Sequence, residues 1–264
     1  MVADIMELAL PDRTVRVEYQ WVERDRAGAP LLIFLHEGLG SISMWRDFPQ
    51  LVCAAAGFCG LVYSRPGYGN STPRPAEEKW QRDYLQREAE IVLPALLRAL
   101  GADHGPYWLF GHSDGASIAL LHAAAFPDKV RGAVVLAPHV FVEPVALEGI
   151  RRAVEKYREG GLKRNLARYH ADPDSPFYGW SDAWLDPAFA AWNIEARVAQ
   201  IKCPLLLIQG EDDEYGTMAQ LDRIAALQPG SVMLKLPACG HIPHRDRPQD
   251  VIDATVRFVT RAGY

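Results

Sequence analysis

The sequence predicts an α/β fold, a mostly parallel sheet with helices on both faces. Three observations lead there. Apolar runs of strand length recur along the 264 residues and alternate with helical patterns, the order expected of β-α-β units. Most of these runs are continuously apolar, as strands covered on both faces require. The turns richest in reactive residues all follow such runs, and open α/β sheets place their sites at the carboxyl ends of strands. The chain is long enough to bury a large core, and a fold of this class and length is commonly one domain, so residues 1–264 are read as a single unit.

The elements follow in order. Residues 15–21 alternate apolar and polar at period two and read as an antiparallel edge strand after a short hairpin. Residues 31–35 and 58–63 are buried strands. Residues 80–100 read as one long helix, kinked at Pro94 and stopped by Gly101. Tyr107-Trp108-Leu109-Phe110 is the next strand, and the small-residue run 116–125 is a helix that stops near Pro127. Residues 130–137, 204–209 and 232–236 complete the strands. Residues 142–199 break the alternation. They carry helical patterns at 150–157, 162–170 and 177–192, no strand-like run, and many aromatics, including Trp180 and Trp184.

Bulk properties exclude several classes. A net charge of -5 and a pI near 5.9 argue against nucleic acid or an anionic membrane as partner. No stretch approaches the roughly 18 apolar residues that span a bilayer. Residues 1–7 lack the basic and apolar regions of a signal peptide. Cys53, Cys59, Cys203 and Cys239 show no metal-ligand spacing and read as free thiols in a reducing compartment, so a cytoplasmic location is expected.

The chemistry centres on Gly111-His112-Ser113-Asp114-Gly115, between a strand and a helix. A serine on a strained strand-to-helix turn is crowded by its own backbone, so the flanking positions want no side chain. The helix that follows offers its positive end to a developing oxyanion. Serine is a weak nucleophile unless an imidazole takes its proton, and the imidazole needs a carboxylate to fix its tautomer. Both appear later at strand ends: Gly210-Glu211-Asp212-Asp213-Glu214, then Cys239-Gly240-His241-Ile242-Pro243-His244. His241 is the expected base and His244 its rival; Asp213 competes with Asp212 and Glu214.

These motifs in this order resemble the α/β-hydrolase fold enzymes of the esterase and lactonase kind. Phe34-Leu35-His36-Glu37-Gly38-Leu39-Gly40 resembles the family's oxyanion loop, and Arg65-Pro66-Gly67-Tyr68-Gly69-Asn70-Ser71 its Arg-x-Gly-x-Gly-x-Ser turn. The resemblance covers nearly the whole chain. It implies an eight-stranded sheet and a small helical cap at residues 142–199. It also implies a Ser113, Asp213, His241 triad and an oxyanion hole made by the backbone N–H groups of Gly38 and Asp114. It implies no cofactor and no metal. The expected reaction is acyl transfer from a small ester-type molecule, a carboxylic ester or lactone, to water. Thioester cleavage, C–C hydrolysis of aromatic ring-cleavage products, and a ligand receptor on a hydrolase scaffold are the alternatives. A homo-oligomer is left open.

One departure stands out: Glu37 occupies a position where the family usually has glycine. Glu37, His139, Trp180 and Trp184 are the candidate pocket residues. The Asp114 side chain is expected to balance its helix N-terminus and His112 to pack beneath the turn. If Glu37 and Asp114 both face the pocket, a cationic or amine-bearing substrate is expected.

Overall fold

The computed structural model describes residues 3–263. Eight strands form one sheet: β1 (Asp4–Ala9), β2 (Thr14–Val22), β3 (Leu31–Leu35), β4 (Cys59–Ser64), β5 (Tyr107–His112), β6 (Val130–Leu136), β7 (Leu205–Gly210) and β8 (Val232–Leu236). Their spatial order is β1-β2-β4-β3-β5-β6-β7-β8. The β1–β2 and β2–β4 pairs are antiparallel and all the others parallel. Residues 15–21 are therefore not an edge strand. The hairpin folds β1 onto the outside, and β2 is paired on both sides.

Alternate residues of the central strands feed two separate cores. Ile33, Leu35, Leu109, Val135 and Leu207 join one cluster. Leu32, Phe34, Phe110, Val134 and Leu206 join the other, on the opposite face. Because both faces are covered, every position of these strands must be apolar, and the runs read as continuous.

The helix expected at 80–100 is shorter and broken. Trp80 lies outside it; a helical turn at Tyr84–Arg87 leads into a π-helical segment, Glu88–Val92, and then Leu93–Ala99. Pro94 explains the widened turn. It has no N–H to donate, and its ring would press on the carbonyl four residues back, Glu90; a π turn opens that spacing.

After β6 the chain forms helices at Pro144–Arg158, Gly161–Leu166, Asp174–Leu185 and Glu195–Val198. Their base is tied by a single bridge between Phe141 and Asn193 and by Ile194 N–H to the Val140 carbonyl at 2.8 Å. Among the described residues no helix is long and apolar enough to cross a membrane. All four cysteines are free.

Candidate active site

Ser113 links β5 directly to the helix Asp114–Ala125 with φ 53° and ψ −118°. L-residues rarely adopt this conformation, which costs on the order of 1–3 kcal/mol and persists only where surrounding structure enforces it. The neighbours do so. A β-carbon on Gly111 would lie 2.3 Å from the Gly115 carbonyl oxygen, and one on Gly115 would lie 2.0 Å from that of Leu35. The turn can close against β3 only because both positions are glycine.

Three turns bring the expected triad residues together. The Ser113 hydroxyl donates to His241 Nε2 at 2.9 Å, and His241 Nδ1–H donates to Asp213 Oδ1 at 2.8 Å. Asp213 is held in turn. Its Oδ1 accepts the Tyr215 and Gly216 amides at 2.8 and 3.2 Å, and its Oδ2 accepts the Gln209 side-chain amide at 3.1 Å. Burial works against the Asp213 carboxylate, but His241 and the Tyr215 amide outweigh it and hold its pKa below the usual value. Burial likewise works against a charged His241, yet Asp213 above all holds that pKa above 6.5. Of the rivals, Glu214 only accepts the His241 amide, at 3.2 Å. His244 packs against Trp45 and His112, with ring centroids 4.6 and 4.9 Å apart.

The loop after β3 is clamped from β4. His36 is fully buried; its Nδ1–H donates to the Glu37 carbonyl at 2.7 Å and its Nε2 accepts the Arg65 amide at 3.1 Å. The Arg65 guanidinium also donates to the Glu37 carbonyl, at 2.9 Å. Gly38 sits under Trp180: a β-carbon there would come within 2.4 Å of the indole. Among the described residues neither the Gly38 nor the Asp114 amide meets a protein acceptor. Two free backbone donors beside Ser113 are what an oxyanion site needs.

The two carboxylates near Ser113 have different fates. Asp114 stands in the first turn of its helix, as expected, and its carboxylate has further partners. Buried at 1% exposure, it accepts the Tyr84 hydroxyl at 2.7 Å and faces the Arg65 guanidinium at 3.7 Å. Trp184 Nε1–H donates to the same Tyr84 oxygen at 2.8 Å. Both carboxylates line the cavity beside Ser113, so the condition for an amine-bearing substrate is met in placement, but Arg65 already balances the Asp114 charge. Glu37 keeps 19% of its side chain exposed, and its Oε2 lies 3.5 Å from His112 Nδ1. Burial would raise its pKa, but His112, His36 and His244 pull it well below the ordinary value. His112 does sit beneath the turn, and it has a further link: its Nε2–H donates to the His241 carbonyl at 2.7 Å.

A cavity of about 190 Å³ opens onto these groups. Glu37, Gly38, Ser113, Asp114, His139, Trp180, Trp184 and His241 all line it, as do the apolar side chains of Leu39, Ile150, Leu162 and Leu166. His139 stands edge-on to Trp184 at 5.1 Å and 5.8 Å from His241. Burial pulls its pKa down to about 3, so it is neutral at pH 7, and its Nδ1 has no hydrogen-bond partner among the described residues.

Sequence reasoning assigned no role to three supporting residues. Tyr215 faces the His241 ring at 4.9 Å, while Arg65 and Tyr84 occupy Asp114. Arg65 carried a signal, as a charge placed directly after a strand buried at all but its first residue. Tyr84 carried none, since the partner of a phenol 30 residues from Asp114 is set by the fold alone.

Residues 32–254 match the description of the alpha/beta hydrolase family. The chain is 24% identical over 263 residues to a 2-(acetamidomethylene)succinate hydrolase of Mesorhizobium japonicum, covering 89% of this chain and 90% of that one. It is 24% identical over 244 residues to a 2-hydroxy-6-oxo-6-phenylhexa-2,4-dienoate hydrolase of Burkholderia cepacia, covering 82% and 83%. A thermophilic esterase from Thermogutta terrifontis superposes with a TM-score of 0.75 at 20% identity, over 99% of this chain and 100% of that one.

Proposed function

The chain belongs to the alpha/beta hydrolase family, and from that premise we propose that it is a serine hydrolase cleaving a small carboxylic ester or lactone through an acyl-enzyme on Ser113. The observation that carries this reading is the unbroken hydrogen-bond chain from Asp213 through His241 to Ser113. His241 takes the Ser113 proton as the hydroxyl oxygen attacks the carbonyl carbon. The Gly38 and Asp114 amides receive the oxyanion. His241 returns the proton to the departing alcohol, and water repeats the sequence to release the acid. Asp213 keeps Nδ1 protonated and stabilises the imidazolium that forms. The helices of residues 142–199 act as a cap: Ile150, Leu162, Leu166, Trp180 and Trp184 close an apolar cavity suited to a small aliphatic or aromatic group.

A second reading is C–C hydrolysis of a vinylogous diketone by the same residues. The relative from Burkholderia cepacia and the two tryptophans in the cavity favour it. One panel separates the two: para-nitrophenyl esters, a lactone, a thioester and a vinylogous 1,5-diketone. Turnover of esters or lactones above the diketone is expected, with kcat falling on the order of 10⁴-fold in Ser113→Ala. A loss below tenfold would overturn the role of Ser113.

A further inference from the structure

Immediately outside the cavity lies a second and larger hollow, a groove of about 580 Å³. Glu37, Met44 and Ile242 line both, so they form the sill between groove and cavity. The two spaces differ in character. The cavity is walled by leucines, isoleucine and tryptophans. The groove carries three guanidinium groups, Arg46, Arg168 and Arg245, brought from three separate segments of the chain.

Two carboxylates share the wall with them, Glu37 on the sill and Asp47. Arg245 has Asp246 at 3.4 Å, an exposed contact between adjacent residues. Arg46 and Arg168 have no carboxylate within ion-pair distance among the described residues. Glu37 stays ionised on the sill, 3.5 Å from His112; the wall also carries Tyr169, and burial keeps His244 well below its usual pKa and neutral. This positive mouth sits on a protein whose acidic residues outnumber its basic ones, 33 to 28. A local field opposite to the net charge concentrates and orients anions.

Arg46 has a second distinguishing feature. Its backbone stands at φ 55° and ψ −129°, close to the φ 53° and ψ −118° of Ser113. Trp45, the residue before it, is buried against Phe34, Phe110 and His244. Arg46 itself is exposed and lines the groove. Strain of this kind gathers at sites where a group must be aimed.

We infer that the groove holds an ionised acid group of the substrate, so that this protein acts on esters bearing a carboxylate or phosphate away from the scissile bond. This rests on the serine-hydrolase reading and names its substrate class. Glu37 gives the arrangement a direction. Its carboxylate on the sill repels an anion from the cavity, so the acid end stays in the groove and the uncharged ester carbonyl reaches Ser113. Guanidinium forks suit carboxylate and phosphate alike.

The test compares kcat/KM for matched esters at low and high salt. The neutral probes are para-nitrophenyl butyrate and methyl para-acetoxybenzoate. The charged probes are para-nitrophenyl hydrogen glutarate, with its acid on the acyl side, and para-acetoxybenzoate and para-acetoxyphenyl phosphate, with theirs on the alcohol side. The better charged probe should exceed its neutral match on the order of tenfold at low salt, with the advantage shrinking as salt rises. The carboxylate and phosphate arms tell the two acid groups apart. In Arg46→Gln/Arg168→Gln the ratio of charged to neutral turnover should fall to near one, and in Arg168→Glu below the native ratio. A native ratio near one for every pair, or a ratio that survives both variants, overturns the inference. Calorimetric binding of the glutarate and butyrate esters to Ser113→Ala makes the same comparison without turnover. Absence of ester hydrolysis would thus count against the serine-hydrolase reading alone, while equal binding of the two esters would count against the groove.

Discussion

Two carboxylate–histidine pairs flank Ser113, and they are built for different ends. Asp213 is 1% exposed along its side chain, accepts two backbone amides and one side-chain amide besides the imidazole, and grips His241 at 2.8 Å. The far nitrogen of that imidazole points at Ser113. Glu37 meets His112 only at 3.5 Å and remains partly open to the cavity, while the far nitrogen of His112 is tied to the His241 carbonyl. The first pair has a nitrogen free to move a proton. The second has none, and acts on the site only by fixing the loop that carries His241 and by placing a negative charge on the sill. What separates proton transfer from scaffolding is therefore the acceptor of the last imidazole nitrogen, not the presence of a carboxylate–histidine pair.

The largest test of that contrast is Asp213→Asn. It should lower kcat on the order of 10³–10⁴-fold, since an amide can hold the imidazole in the wrong tautomer and cannot stabilise its cation. Glu37→Gln should cost less than about tenfold in kcat on a neutral ester. Equal losses in the two variants, measured by steady-state kinetics, would erase the distinction. A finer test is the pH profile. His241 must be neutral to accept the serine proton, and its pKa lies above 6.5, so kcat/KM should fall on the acid side with a midpoint above pH 6.5. A midpoint below that value would contradict the Asp213 pairing. The smallest expected effect is a shift of this midpoint in Glu37→Gln. Glu37 is one of the charges that hold the His241 pKa up, so its removal should move the midpoint to lower pH.

Much of this arrangement is legible along the chain because it is local. The glycines around Ser113 are required by contacts within five residues and by β3, and the acid and the histidine each sit at the end of an apolar run. Continuous apolarity correctly marked strands with two covered faces. What failed is set by distant contacts or by backbone chemistry. Residues 15–21 look like an edge because they alternate, but their neighbour β1 is a weak, mostly exposed strand that sequence alone barely marks. Pro94 signals a disturbance without saying whether it kinks or widens the helix. For Asp114 the sequence points only to its own helix end, because its partners Arg65 and Tyr84 come from other elements. The basic groove is also hidden in sequence, since Arg46, Arg168 and Arg245 are separated by 122 and 77 positions and meet only in the folded chain.

The account turns on Ser113 being an activated nucleophile. The most direct measurement is the intact mass of the native protein and of Ser113→Ala after exposure to a small fluorophosphonate, which reports an activated serine without knowledge of the substrate. One adduct per native chain, absent from Ser113→Ala, is the predicted result. No adduct on the native protein, or an adduct that persists in the variant, would contradict it.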